Sequence, residues 1–162
     1  MNGIEREIGD LLRRHGLTLG VVESATGGLI SHLITNVPGS SDYFRGSVTA
    51  YSNEIKIKVI GVKAATLRKY GSVSPSVAEE MAAGGRKVLA VDICLADTGI
   101  AGPGGTSPGK PVGLFYIGFA REGGVFHRKH EFLGDRAQNK ISAAEAALFW
   151  LREYLISLKD TI

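Results

Sequence analysis

A chain of 162 residues is long enough to bury a substantial core as one domain spanning residues 1–162, and 44% hydrophobic with 22% charged residues is the balance of a folded soluble protein. The net charge of +3, from 19 basic and 16 acidic residues mixed along the chain, gives no basic tract to demand nucleic acid or anionic lipid, though it suits a small anionic ligand. The one cysteine, Cys94, excludes an intrachain disulfide and sits in an apolar run over 91–96, where it reads as a buried, inert thiol.

Ile4, Ile8, Leu11 and Leu12 share one face of a helix over 2–15, which His15 and Gly16 close. Residues 17–22 read as a buried strand running into Glu23-Ser-Ala-Thr-Gly-Gly28, after which Leu29, Ile30, Leu33, Ile34 and Val37 mark a second helix. Strand, glycine-rich turn and helix can aim backbone N–H groups at an anion; a Ser/Thr cap with glycines for a tight turn explains the same residues equally well. Pro38-Gly39 ends that helix, 46–51 has strand composition, and Ser52 and Asn53 are good caps for a helix carrying Ile55, Ile57, Val59 and Ile60. A short helix over 64–70 closes at Gly71, and Ser74-Pro75 starts a longer one towards Val88. Its Ala78, Ala82, Ala83, Gly84 and Gly85 favour close packing.

A strand over 91–98 delivers the chain into 99–111, a Gly/Pro-rich loop too long to be a mere connection. The run 112–119 is apolar on both faces and reads as a central strand; Glu122-Gly123-Gly124 is a hairpin turn, and a more exposed strand follows over 125–132. From 135 to 158 a long amphipathic helix places Ile141, Ala144, Leu148, Leu151, Leu155 and Leu158 on one stripe. Helices alternating with strands, plus one late hairpin, predict an α/β fold: a three-layer α/β/α domain with a mixed sheet. Ligands of such sheets sit where glycine-rich loops leave strand ends, so the loops 23–28, 39–45 and 99–111 are expected to converge. No signal peptide opens the chain and no apolar run approaches about 18 residues, so a cytoplasmic protein is expected.

The chemical signals are uneven. Gly104-Gly-Thr-Ser-Pro-Gly109-Lys110 matches the start of a nucleotide-binding P-loop. Pro111 then stands where a magnesium-ligating hydroxyl belongs, and a strand follows instead of a helix, so a P-loop ATPase is rejected. The loop can still hold a phosphate through backbone amides and Lys110. His15, His32, His127 and His130 show no zinc spacing, and the last two fall on opposite faces of their strand; no metal site is expected. Glu79 and Glu80 read as a solvated helix surface, and no Gly-x-Ser-x-Gly elbow presents a serine to a His-Asp pair. Ser40, Ser41, Tyr51 and Lys56 lie close in sequence, and a serine near a partly desolvated lysine makes a nucleophile without histidine. Spacing alone does not separate Ser40 from Ser41.

The series Glu23-Ser-x-Thr-Gly-Gly28, Pro38-Gly39-Ser-Ser41, Tyr51-Ser-Asn-Glu-x-Lys56, Gly71-Ser-Val-Ser74 and Thr98-Gly-Ile-Ala-Gly-Pro-Gly-Gly105 with Lys110-Pro-Val-Gly113 is far more specific than any one motif. It resembles the C-terminal domain of the competence-damage-inducible CinA family, also found as the stand-alone nicotinamide mononucleotide amidohydrolase PncC. The resemblance runs from about Ile4 to Leu158, and the stand-alone form is expected. It implies hydrolysis of the carboxamide of nicotinamide mononucleotide to nicotinate mononucleotide and ammonia, with no cofactor or metal. It further implies Ser41 as nucleophile, Lys56 as base and Tyr51 as assistant, with the family's late arginine falling at Arg136. Ala25 stands where many relatives carry Cys and removes nothing the mechanism needs.

For such a mechanism Lys56 must be held neutral by burial or by a cation such as Arg45 or Arg136. Backbone N–H groups around Gly39, Ser40 and Ser41 are expected to stabilise the oxyanion. Ser24, Thr26, Gly27 and Gly28, together with Gly102, Gly104, Gly105 and Lys110, are expected to take the phosphate or ribose. The competing expectation is a catalytically silent nucleotide- or partner-binding module linked to competence or DNA damage. Nucleic-acid binding itself is disfavoured, and symmetric self-association is compatible with either reading.

Overall fold

The chain, described over residues 3–159 in a computed structural model, opens with α1 (Ile4–His15), whose end turns on Gly16 at φ 63°, where the glycine N–H returns to the carbonyls of Leu12 and Arg13. There follow β1 (Leu19–Glu23), α2 (Leu29–Thr35), a 3-10 turn at Ser40–Asp42, and β2 (Phe44–Thr49). The short α3 (Asn53–Ile55) widens into a π turn at Lys56–Ile60, and α4 (Ala64–Tyr70) and α5 (Pro75–Leu89) come next. The chain then forms β3 (Ile93–Gly99), β4 (Leu114–Arg121), β5 (Gly124–Glu131) and α6 (Arg136–Ser157).

The five strands form one sheet in the order β2-β1-β3-β4-β5. β1 runs parallel to both β2 and β3, whereas β4 is antiparallel to β3 and β5. Alternation along the strands divides the core. Leu19, Val21, Ile93, Leu95, Ile117 and Phe119 face α1, α2 and α6. Val22, Cys94, Ala96 and Ala120 face α5, where Val77, Met81 and Ala82 cover them. The result is the three-layer α/β/α arrangement with a mixed sheet that the element pattern predicts. Close packing explains the small residues of α5: a Cβ at Gly85 would meet Val22 and Cys94 at 2.3 and 2.7 Å. Among the described residues no helix is long and apolar enough to cross a membrane.

Three expectations change. The loop 39–45 does not join the other two. It leads into β2 beside Leu19, at the amino end of β1, whereas 23–28 leaves from the carboxyl end; β2's six residues keep the two apart by roughly 20 Å. On α6, Ile141 is 42% exposed while Asn139 is buried, so the inward stripe begins with an amide rather than with isoleucine. Glu80 is not merely solvated: its carboxylate accepts the Lys63 N–H at 2.8 Å and the Thr66 hydroxyl at 2.6 Å, fixing the start of α4.

Candidate active site

β1 and β3 are neighbouring parallel strands, so the loops leaving them open on the same edge of the sheet. The antiparallel return of β4 and β5 brings the segments before Leu114 and after Glu131 to that edge too, because Gly99 pairs with Phe115 and Leu114 with Glu131. Between them lies a cavity of about 470 Å³. Ser24, Tyr51 and Lys56 form one side; Gly102, Gly104, Gly105 and Arg136 form another, with Ser72 and Thr98 below.

Lys56 is the central side chain. Ser52 starts its helix by accepting the Ile55 N–H, and the π turn that follows swings Lys56 inward until only 1% is exposed. Its Nζ donates to Ser24 Oγ at 3.0 Å and to the Tyr51 carbonyl at 2.9 Å. Burial holds its pKa below the ordinary lysine value, and the nearby charge of Asp97 opposes that shift. Neither Arg45 nor Arg136 causes it. Arg45 points elsewhere, donating to the Ser41 carbonyl at 3.2 Å.

Ser24 follows the last residue of β1 and is itself buried. Asp97, on β3, accepts the amides of Ser24 (2.9 Å) and Thr26 (3.1 Å), which fixes the turn and leaves the Ala25 amide between them beside the cavity. Arg136 is the first residue of α6, whose cap Asp135 and Gln138 satisfy one another's backbone in a capping box. Its guanidinium donates to the Gly102 carbonyl at 2.8 Å and to the Tyr51 hydroxyl at 3.4 Å, so it ties two walls together. Asn139 continues the brace, donating to the carbonyls of Ala101 and Gly134. Gly102 has φ 92° and a Cβ there would meet Val112 at 2.5 Å, so the loop needs glycine at this point.

The structure therefore gathers Ser24, Tyr51, Lys56, Gly102, Gly104, Gly105 and Arg136, and leaves the other expected residues outside the cavity. Gly39, Ser40, Ser41 and Arg45 lie at the far end of β2; there Gly39 and Asp42 bind Arg13. Thr26 is buried beneath the turn, and the α2 amides above Gly27 and Gly28 are already taken: Glu23 accepts the N–H groups of Ile30 (2.8 Å) and Ser31 (3.1 Å). Lys110 folds away to cap the Tyr70 carbonyl. Ser72, Thr98, Glu23 and Asp97 are the site residues that sequence reasoning passed over. A carboxylate inside the apolar run Ile93-Cys-Leu-Ala-Asp97 was the available signal for the last. Among the described residues no three His, Cys, Asp or Glu side chains cluster as a metal site.

These features define a class of protein: an α/β domain whose loops, at the carboxyl edge of two parallel strands, set a serine hydroxyl on a buried lysine. Within that class the chain belongs to the CinA family, the CinA C-terminal domain model matching residues 1–155. It is 48% identical over 145 residues to a CinA-like protein of Salinibacter ruber, covering 90% of this chain and 35% of the relative. It is 46% identical over 152 residues to a CinA-like protein of Thermotoga neapolitana, covering 94% and 37%. The chain thus spans about a third of the length of the curated relatives it matches. The crystal structure of the competence damage-inducible protein A (ComA) of Klebsiella pneumoniae superposes with a TM-score of 0.93 at 28% identity, over 96% of this chain and 97% of that one. The competence/damage inducible protein CihA of Agrobacterium tumefaciens gives 0.83 at 36% identity, over 93% and 96%.

Proposed function

We propose that this domain is a nicotinamide mononucleotide amidohydrolase that uses Ser24 as its nucleophile and Lys56 as its base. The reading rests on one observation above all, the 3.0 Å approach of a desolvated Lys56 Nζ to Ser24 Oγ at the floor of the cavity. It replaces Ser41 by Ser24, because a base acts only on a hydroxyl within hydrogen-bond reach. An amide is a poor electrophile and needs an activated hydroxyl. Neutral Lys56 takes the Ser24 proton as Oγ attacks the carboxamide carbon. The Ala25 amide, the one following the nucleophile, faces the developing oxyanion. The resulting Lys56 ammonium returns its proton to the nitrogen as the C–N bond breaks and ammonia leaves. Water, deprotonated by Lys56, then cleaves the Ser24 ester, releasing nicotinate mononucleotide and restoring Ser24.

The substrate's charge suits the opposite wall. Gly104 and Gly105 present backbone without side chains, and Arg136 carries a positive charge on the cavity rim, both fit to receive a phosphate. Tyr51, a residue 62% exposed, offers a ring face to the pyridinium. The test is ammonia release from nicotinamide mononucleotide by the wild type and by Ser24→Ala, Lys56→Ala and Ser41→Ala. Loss of at least about 10³-fold in kcat is expected for the first two, with Ser41→Ala near wild type. An active Ser24→Ala refutes the pair. Binding of the nucleotide without ammonia release by the wild type selects the silent binding module instead.

A further inference from the structure

Two buried carboxyl groups under the cavity take no part in the Ser24–Lys56 chemistry. Glu23 ends β1, Asp97 lies on β3, and both are fully buried. Thr26 Oγ1 stands between them, 2.6 Å from Glu23 Oε1 and 2.5 Å from Asp97 Oδ1. A threonine hydroxyl has one proton and donates one hydrogen bond. If both carboxyl groups were ionised, one of these short contacts would press two sets of oxygen lone pairs together in a dry interior. The contact is relieved when the second carboxyl carries a proton and donates it to Thr26 Oγ1.

The remaining partners decide which group that is. Glu23 accepts the Ile30 and Ser31 amides and the Ser31 hydroxyl, the last at 2.6 Å, and three donors stabilise its charged form. Asp97 accepts only the Ser24 and Thr26 amides besides the shared hydroxyl. Burial pushes its carboxyl up to about 6, against the hydrogen bonds from Thr26 and Ser24, and the charge of Glu23 adds to the rise. Below about pH 6 the proton rests on Asp97.

We propose that Glu23, Thr26 and Asp97 share a single proton along the chain Asp97 Oδ1–H to Thr26 Oγ1–H to Glu23 Oε1, so that, while it is held, the two carboxyl groups carry one negative charge and Asp97 places none against Lys56. The charged groups facing Asp97 are Glu23 from β1 and Lys56 from the turn after α3, and the three are coupled. Ionised Asp97 holds the proton on Lys56; protonated Asp97 releases that hold and lets burial prevail. Asp97, Thr26 and Glu23 are thus positioning residues. The shared proton stands on geometry alone, whereas its consequence for Lys56 as a base rests on the amidohydrolase reading.

The test is a carboxyl ¹³C NMR titration of the full chain labelled at Asp and Glu, which needs no substrate. One carboxyl, absent from Asp97→Asn, should titrate near 6, against 3.8 for an ordinary aspartate. Thr26→Ser, which keeps the hydroxyl, should retain this late titration; Glu23→Gln, which leaves no second carboxyl, should move it acidward by at least about one unit. Titration of every labelled carboxyl below about 5 in the wild type overturns the shared proton, whether or not any variant folds. In turnover, Asp97→Asn, which keeps this position uncharged, should shift the rising limb of kcat to lower pH, since the carboxylate that raises the Lys56 pKa is gone. An unmoved limb overturns the link to Lys56. A wild type that titrates as stated but releases no ammonia refutes the enzyme reading and leaves the shared proton intact.

Discussion

Lys56 gives up the solvation of an ammonium for two hydrogen bonds, and this makes the protein's stability depend on pH in a particular direction. Its folded pKa lies below the ordinary 10.5. Between those two values the unfolded chain binds more protons than the folded one, so stability rises with pH and is lost as pH falls through the folded pKa. Lys56→Met lacks this term. Denaturant unfolding of both proteins should show the variant's relative stability declining as pH rises from the folded Lys56 pKa towards 10.5; a constant difference would contradict a desolvated lysine. Asp97 has the opposite sign: its raised pKa gives stability that is complete below 3.8 and is lost as pH rises through about 6.

At the scale of elements, the π turn carrying Lys56 is held from outside by α5. A Cβ at Gly84 would stand 2.1 Å from the Ile60 carbonyl, which closes that turn. Gly84→Ala should therefore cost about 1–3 kcal/mol in denaturant unfolding and should lower kcat as the turn shifts Lys56 away from Ser24. An alanine variant with unchanged stability and turnover would show that α5 does not brace the turn. The elements themselves were legible in the sequence. Ser74-Pro75 begins α5 as its residue types require, the Ser74 hydroxyl accepting the Val77 amide at 3.3 Å, and Asp135 caps α6. The site was half legible. Lys56, Tyr51 and the glycine loop lie at the cavity, but the family resemblance paired Ser41 with Lys56, and the fourteen residues between them look short along a chain. A six-residue parallel strand lies within them, and the loop entering a parallel strand is always on the opposite edge from the loop leaving its neighbour. Ser24 had the right edge, but its nearness to Lys56 depends on β1 lying beside β2, which spacing in one chain does not state. Asn139 was hidden for a related reason: helical periodicity marks which face turns inward, not that a loop carbonyl waits there for an amide.

The whole molecule has two sheet edges, and β5 is the more exposed. Consecutive Arg128 and Lys129, the first paired with Glu153 and stacked 4.5 Å over Trp150, place charge where another strand would add. Replacing both by threonine should increase self-association, seen as a concentration-dependent rise in scattering mass, while Ser24-dependent turnover stays unchanged. No rise would mean that some other feature protects the edge. The core between α5 and the sheet also contains a built-in clock. Cys94 is the protein's sole thiol, fully buried there with its pKa pushed up to about 12 by desolvation. A thiol reagent should leave the native protein unlabelled and react only in molecules that have momentarily opened. The rate of that single modification would then report the opening equilibrium under ordinary buffer conditions, with no denaturant and no engineered label.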